Sequence, residues 1–126
     1  MEVSMNTNVQ NPNFGYFNFS TEATKYCEKK LKPSQIARFK EIVDKERANT
    51  TIKADIDCHD KKLNAYLRKF KTDGSVDSDY SRDLGKKGVF QSILGFLASV
   101  SKQSTLMVQR YNNAQKVASV ISGSKN

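Results

Sequence analysis

Six consecutive positions, Asp55 to Asp60, hold three aspartates, Cys58 and His59, the only histidine of the chain. Carboxylate, thiolate and imidazole are all competent ligands for a divalent metal, and a thiol beside an imidazole is the raw material of a nucleophile and its base. The spacing serves neither chemistry. In an extended strand Asp55 and Asp57 face away from Cys58, and the neighbours Cys58 and His59 point to opposite faces. No CxxC, HxxxH or second histidine supplies the missing ligands. The stretch therefore predicts no metal site, no catalytic residue and no cofactor.

Two other motifs fall short in the same way. Asp77, Asp79 and Ser81 suit the first ligands of a calcium loop, but Arg82 stands where the required glycine belongs and Gly88 where the terminal glutamate belongs. Asp83 to Gly88 places glycines and lysines before a helix start, where backbone N–H groups favour anions. It lacks the spacing of a nucleotide-binding loop, so Lys86 and Lys87 are read only as candidate polyanion contacts.

The element that must carry the Asp–Cys–His stretch is a β-hairpin. Ile52, Ala54, Ile56 and Cys58 alternate with polar residues, as do Leu63, Ala65 and Leu67. A four-residue loop, His59 to Lys62, sets Cys58 opposite Leu63, Ile56 opposite Ala65 and Ala54 opposite Leu67. Positions 52, 56, 63, 66, 67 and 70 also fit the face of a helix, the alternative being an all-α helical hairpin with one helix from Ser34 to Phe70.

Around this stretch, Ser20 caps a short helix to about Leu31, and Lys32-Pro33 ends it. Ser34 caps a second helix whose apolar positions Ile36, Phe39, Ile42 and Val43 share a face, fading near Asn49. Lys71 to Gly88 reads as a polar acidic loop with three glycines. From Phe90, positions 93, 97, 100, 104, 107, 111, 114, 118 and 121 recur at alternating spacings of three and four, with Ser104 the polar lapse and Gly123 just past the end. The predicted fold class is α+β: two short N-terminal helices, a β-hairpin and a long C-terminal helix. Residues 1–13 read as a tail, anchored to the rest by Phe14, Tyr16, Phe17 and Phe19, 14–122 as one domain and 123–126 as a loose end.

Charge narrows the partners. The chain carries +8 over 126 residues, and residues 86–126 hold six lysines or arginines and no acid. Such a field attracts polyanions. Lys25, Lys29, Lys30, Lys32, Arg38, Lys40, Lys86 and Lys87 are the candidate polyanion-binding residues. Tyr66, Arg68 and Phe70 form an aromatic-basic face of the kind that stacks bases, but Asp55 and Asp57 share it and would repel phosphates. We therefore expect a helix to cover Tyr66 and Phe70.

Two cysteines 31 residues apart read as free thiols. The sequence shows no secretory signal and no membrane span, so a soluble cytoplasmic protein is expected. The apolar run Val89 to Val100 suits a core better than a membrane surface. One histidine and no nucleophile with a local partner point away from an enzyme. The expected function is a small basic protein-interaction or self-associating module acting through Ile93, Leu97, Val100, Met107 and Tyr111. The alternative is a nucleic-acid-binding module that contacts phosphates through basic helix faces.

Overall fold

The structure, a computed structural model, describes residues 16–49 and 51–123. The expected tail, Phe14 and residues 124–126 lie outside the described residues. In chain order the elements are β1 (Phe17–Phe19), α1 (Thr21–Lys30), a 3-10 turn (Pro33–Gln35), α2 (Ile36–Lys45), β2 (Ile52–His59), β3 (Lys62–Phe70), β4 (Val76–Lys86) and α3 (Ile93–Gly123). The class is α+β with a long C-terminal helix, and residues 52–70 are strands, not one helix.

The hairpin has the expected register: Cys58 pairs with Leu63, Ile56 with Ala65 and Ala54 with Leu67. Its loop is shorter than expected. His59 pairs with Lys62, so His59 ends β2 and only Asp60 and Lys61 turn the chain, with φ of 53° and 64°. Two consecutive left-handed residues make the hairpin turn whose twist matches that of the flanking strands.

Two further strands extend the hairpin into a four-stranded sheet of order β1-β2-β3-β4. β1 runs parallel to β2, pairing Phe17 with Ala54 and Phe19 with Ile56. The aromatic stretch is thus an edge strand as well as an anchor. β4 replaces most of the expected acidic loop and pairs antiparallel with β3. Asp73-Gly74 makes the connecting turn, Gly74 at a φ of 90° that other residues seldom adopt. Register shifts interrupt β4, and Gly85 bends it at a φ of 79°.

The helices begin where their caps allow. Ser20 Oγ accepts from Ala23 N at 3.0 Å, and Ser92 Oγ accepts from Gly95 N at 2.9 Å, so α3 starts at Ile93 rather than near Phe90. Ile52, Ala54, Ile56, Leu63, Ala65 and Leu67 form the buried sheet face, packed in one core with Ala23, Cys27, Ile42, Phe96, Leu97, Val100 and Met107. A buried polar network ties this core together. Tyr16 Oη donates to Val100 O at 3.4 Å, Asn49 Nδ2 donates to Ser104 Oγ at 3.5 Å, and Ser101 Oγ donates to the Glu46 carboxylate. Ser104, the lapse in the apolar seam, thus ties α3 to Asn49 in the segment after α2, and its hydroxyl also meets that of Tyr16 just before β1. Among the described residues no helix is long and apolar enough to cross a membrane.

Candidate functional site

The Asp–Cys–His stretch is dispersed by the hairpin. Asp55 faces outward and is gripped by Arg68, whose Nη2 donates to Oδ1 at 3.0 Å while Nε lies 2.5 Å from Oδ2. Asp57, two residues on, accepts from Ser20 Oγ and from Cys58 N, both at 2.8 Å. These bonds hold its carboxyl below the usual range, the Ser20 hydroxyl contributing most. Cys58 packs inward against the core. Burial pushes its thiol up, as it does that of Cys27, which reaches about 12. Both cysteines are free. Among the described residues no three His, Cys, Asp or Glu side chains gather as a metal site would require.

The outer sheet face holds Tyr66, Arg68 and Phe70 as the alternation requires. Tyr66 stays 39% exposed, so it is not covered as expected. Its cross-strand neighbours are Asp55 on one side and Asp83 on the other. Arg68 is committed to Asp55, and its guanidinium also lies 5.4 Å from the Phe70 ring centroid. A base stacked on Tyr66 would bring its phosphates beside two carboxylates, which disfavours this face as a nucleic-acid platform.

The five residues singled out on the C-terminal helix are drawn into the body of the chain. Leu97, Val100 and Met107 are buried, Ile93 packs against them, and Tyr111 stacks edge-on with Tyr80 at 5.1 Å between centroids. These residues hold α3 to the sheet. A second seam lies beside them on the same helix. Leu106, Arg110, Asn113, Val117 and Val120 recur at spacings of four and three, and all are exposed: Leu106 by 40%, Val117 by 58% and Val120 by 72%. From Asn112 to Gly123 every residue of α3 is exposed, so the helix runs on for about 18 Å beyond Tyr111 at 1.5 Å per residue.

The basic residues divide by partner. Arg38 pairs with Glu41 at 3.1 Å and Lys40 pairs with Asp44, leaving these cations matched along α2. Lys25, Lys29, Lys30 and Lys32 are exposed on and after α1. Lys86 is exposed at the end of β4, and Lys87 folds over the next turn, its Nζ donating to Gly88 O at 3.1 Å and Gln91 O at 2.5 Å. That turn presents Val89 and Phe90 outward, so the apolar run Val89 to Val100 is not buried at its start as expected.

A cleft of about 280 Å³ opens between β4 and α3, lined in part by Arg82, Asp83, Lys86, Gln91 and Gln103. Arg82 Nη1 reaches across it to Gln103 Oε1 at 3.4 Å. The lining includes neither histidine nor cysteine, and Asp83 is its one carboxylate.

No protein family, curated protein or solved structure matches the chain.

Proposed function

We propose that this protein is a small non-enzymatic module that self-associates through the exposed seam of α3. The observation that carries the reading is the four-three recurrence of Leu106, Arg110, Asn113, Val117 and Val120 along a helix that outruns its own domain. That recurrence is the geometry by which two helices interlock.

The seam is self-complementary in one direction. With two copies antiparallel about Asn113, Asn113 meets Asn113, Arg110 meets Val117 and Leu106 meets Val120. Parallel copies would instead place Arg110 against Arg110. The antiparallel pair is two-fold symmetric, as most homodimers are, and it takes Arg110 off its own copy. Lys116 of the other copy then lies level with Arg110 on the flank of the seam, and it is the single charge between Tyr111 and Gly123.

Light scattering during size-exclusion chromatography tests this. The expected result is a dimer that persists in high salt and becomes a folded monomer, still melting cooperatively, with Val117→Asp and Val120→Asp together. A wild-type chain that stays monomeric at high micromolar concentration would overturn the proposal.

A second reading is favoured by Lys25, Lys29, Lys30 and Lys32, which are exposed without a charge partner among the described residues. They could contact nucleic-acid phosphates. Such binding would weaken steeply with salt because it releases counterions, and a gel shift across a salt series separates it from helix pairing.

A further inference from the structure

We propose that one end of the sheet docks on an anionic lipid bilayer, with Lys61, Lys62 and Lys86 against the headgroups and Val89 and Phe90 entering the interface. Residues distant in sequence build this end. His59 pairs with Lys62 across the first hairpin, Asn64 pairs with Lys86, and Lys87 N donates to Leu63 O at 2.7 Å. The Lys61-Lys62 and Lys86-Lys87 pairs therefore sit side by side. Asp60 is the carboxylate within the hairpin turn, and the lysines outnumber it.

The apolar tip is a built turn. Gln91 N donates to Gly88 O at 3.1 Å, and Gly88 N donates to Gln91 Oε1 at 3.1 Å. Lys87 Nζ clamps both ends of it through Gly88 O and Gln91 O. Val89 and Phe90 are the two central residues, Val89 80% exposed and Phe90 fully so. Central turn positions favour Pro, Asp, Asn and Gly for their backbone preferences. Valine and phenylalanine bring none of these, and both lose by facing water.

The shape and charge select the partner. A convex apolar tip has no concave surface of its own to receive a ligand, but it can insert into a fluid interface. The adjacent lysines match the negative headgroups that surround such an insertion. Phosphate binding by nucleic acid would use the lysines but leave Val89 without a role.

Vesicle flotation of the full chain tests the proposal, with phosphatidylcholine alone or mixed with phosphatidylserine. The chain is expected to float only with phosphatidylserine present. Phe90→Ser should cut binding about tenfold, and each of Lys61→Gln, Lys62→Gln and Lys86→Gln about fivefold. These side chains are exposed, so melting temperatures should hold, and the Val117→Asp, Val120→Asp chain should float as the wild type does. The sequence has no tryptophan, so Phe90→Trp gives a lone reporter whose emission should shift to the blue on phosphatidylserine vesicles. Failure of the wild type to float, or an unshifted Trp emission, would overturn the assignment. So would full flotation by Phe90→Ser, or binding that duplex DNA displaces equally from wild type and Phe90→Ser, which would mark a nucleic-acid surface instead.

Discussion

The Nζ atom of Lys69 lies 3.8 Å from the centroid of the Tyr111 ring, at the point where α3 leaves the sheet. Lys69 continues the inward series Leu63, Ala65 and Leu67 and is buried with them. Its Nζ donates to Phe70 O at 3.2 Å, and Tyr80 stacks edge-on with the ring. A lysine at the last inward position thus closes the core with a charge held on an aromatic face. Everything beyond it on α3 is exposed, so this contact divides the packed part of the helix from the projecting part.

Removing the ring should strand the charge. Tyr111→Leu is expected to cost about 2 kcal/mol, part from the lost cation–π contact and part from a buried cation left poorly compensated. Lys69→Met in the same background should recover some of that loss, because no charge then needs the ring. Urea unfolding of the two single variants and the double variant gives the coupling, expected near 1 kcal/mol. Strictly additive losses would show that the two side chains do not support each other.

The two-residue hairpin turn carries one residue ill suited to it. Lys61 adopts a φ of 64°, which costs a residue with a β-carbon about 1 kcal/mol relative to glycine. Asp60→Asn with Lys61→Gly places the preferred turn pair at these positions. The double variant should gain about 1 kcal/mol in urea unfolding. No gain would mean that Asp60 and Lys61 make compensating contacts at the tip.

Much of the architecture could be read from residue order, for identifiable reasons. β2 and β3 announce themselves because their alternation and mutual register agree, and α3 because its buried seam recurs over many turns. β4 is hidden because Val76, Tyr80 and Leu84 are its only large apolar residues, polar Ser78 and Arg82 stand between them, and its bulges put Val76 opposite the outward Phe70 while Tyr80 and Leu84 pack inward. β1 has three residues and a parallel partner 37 positions away, too little local pattern to see. The surfaces were harder still. The exposed seam of α3 interleaves with the buried one, and Val89 and Phe90 merge into the apolar run that follows; only the cap at Ser92 separates them.

Acid should act through Ser20 and Asp57. The Ser20 hydroxyl caps α1 through Ala23 N and also donates to Asp57, which is why the Asp57 carboxyl lies below its usual range. A depressed carboxyl contributes stability above its unfolded value of 3.8, and that stability is lost as pH falls through the lower folded value. Ser20→Ala should cost about 1 kcal/mol at neutral pH from the cap alone. Its deficit relative to the wild type should shrink as pH drops below about 4, where Asp57 no longer contributes. Unfolding curves from pH 7 to pH 2 follow both effects, and a deficit that stays constant would remove Asp57 from the account.

At the alkaline end the burial of Cys27 and Tyr16 sets the limit. Burial is the largest cause of the rise of the Cys27 thiol from 9.0 to about 12, and it raises the Tyr16 phenol as well. In the unfolded chain both ionise at ordinary values, while the native chain keeps them neutral. The wild type therefore has its full stability below pH 9 and loses it progressively as pH climbs toward 12. Cys27→Ala should flatten this alkaline slope while costing about 1 kcal/mol of packing at neutral pH. The same burial predicts that Cys27 is silent to a thiol reagent at pH 8 until denaturant is added, whereas the half-buried Cys58 reacts slowly in the native state. Rapid labelling of Cys27 in the folded protein would mean that α1 opens from the sheet, and the alkaline slope would then reflect that opening rather than a sealed thiol.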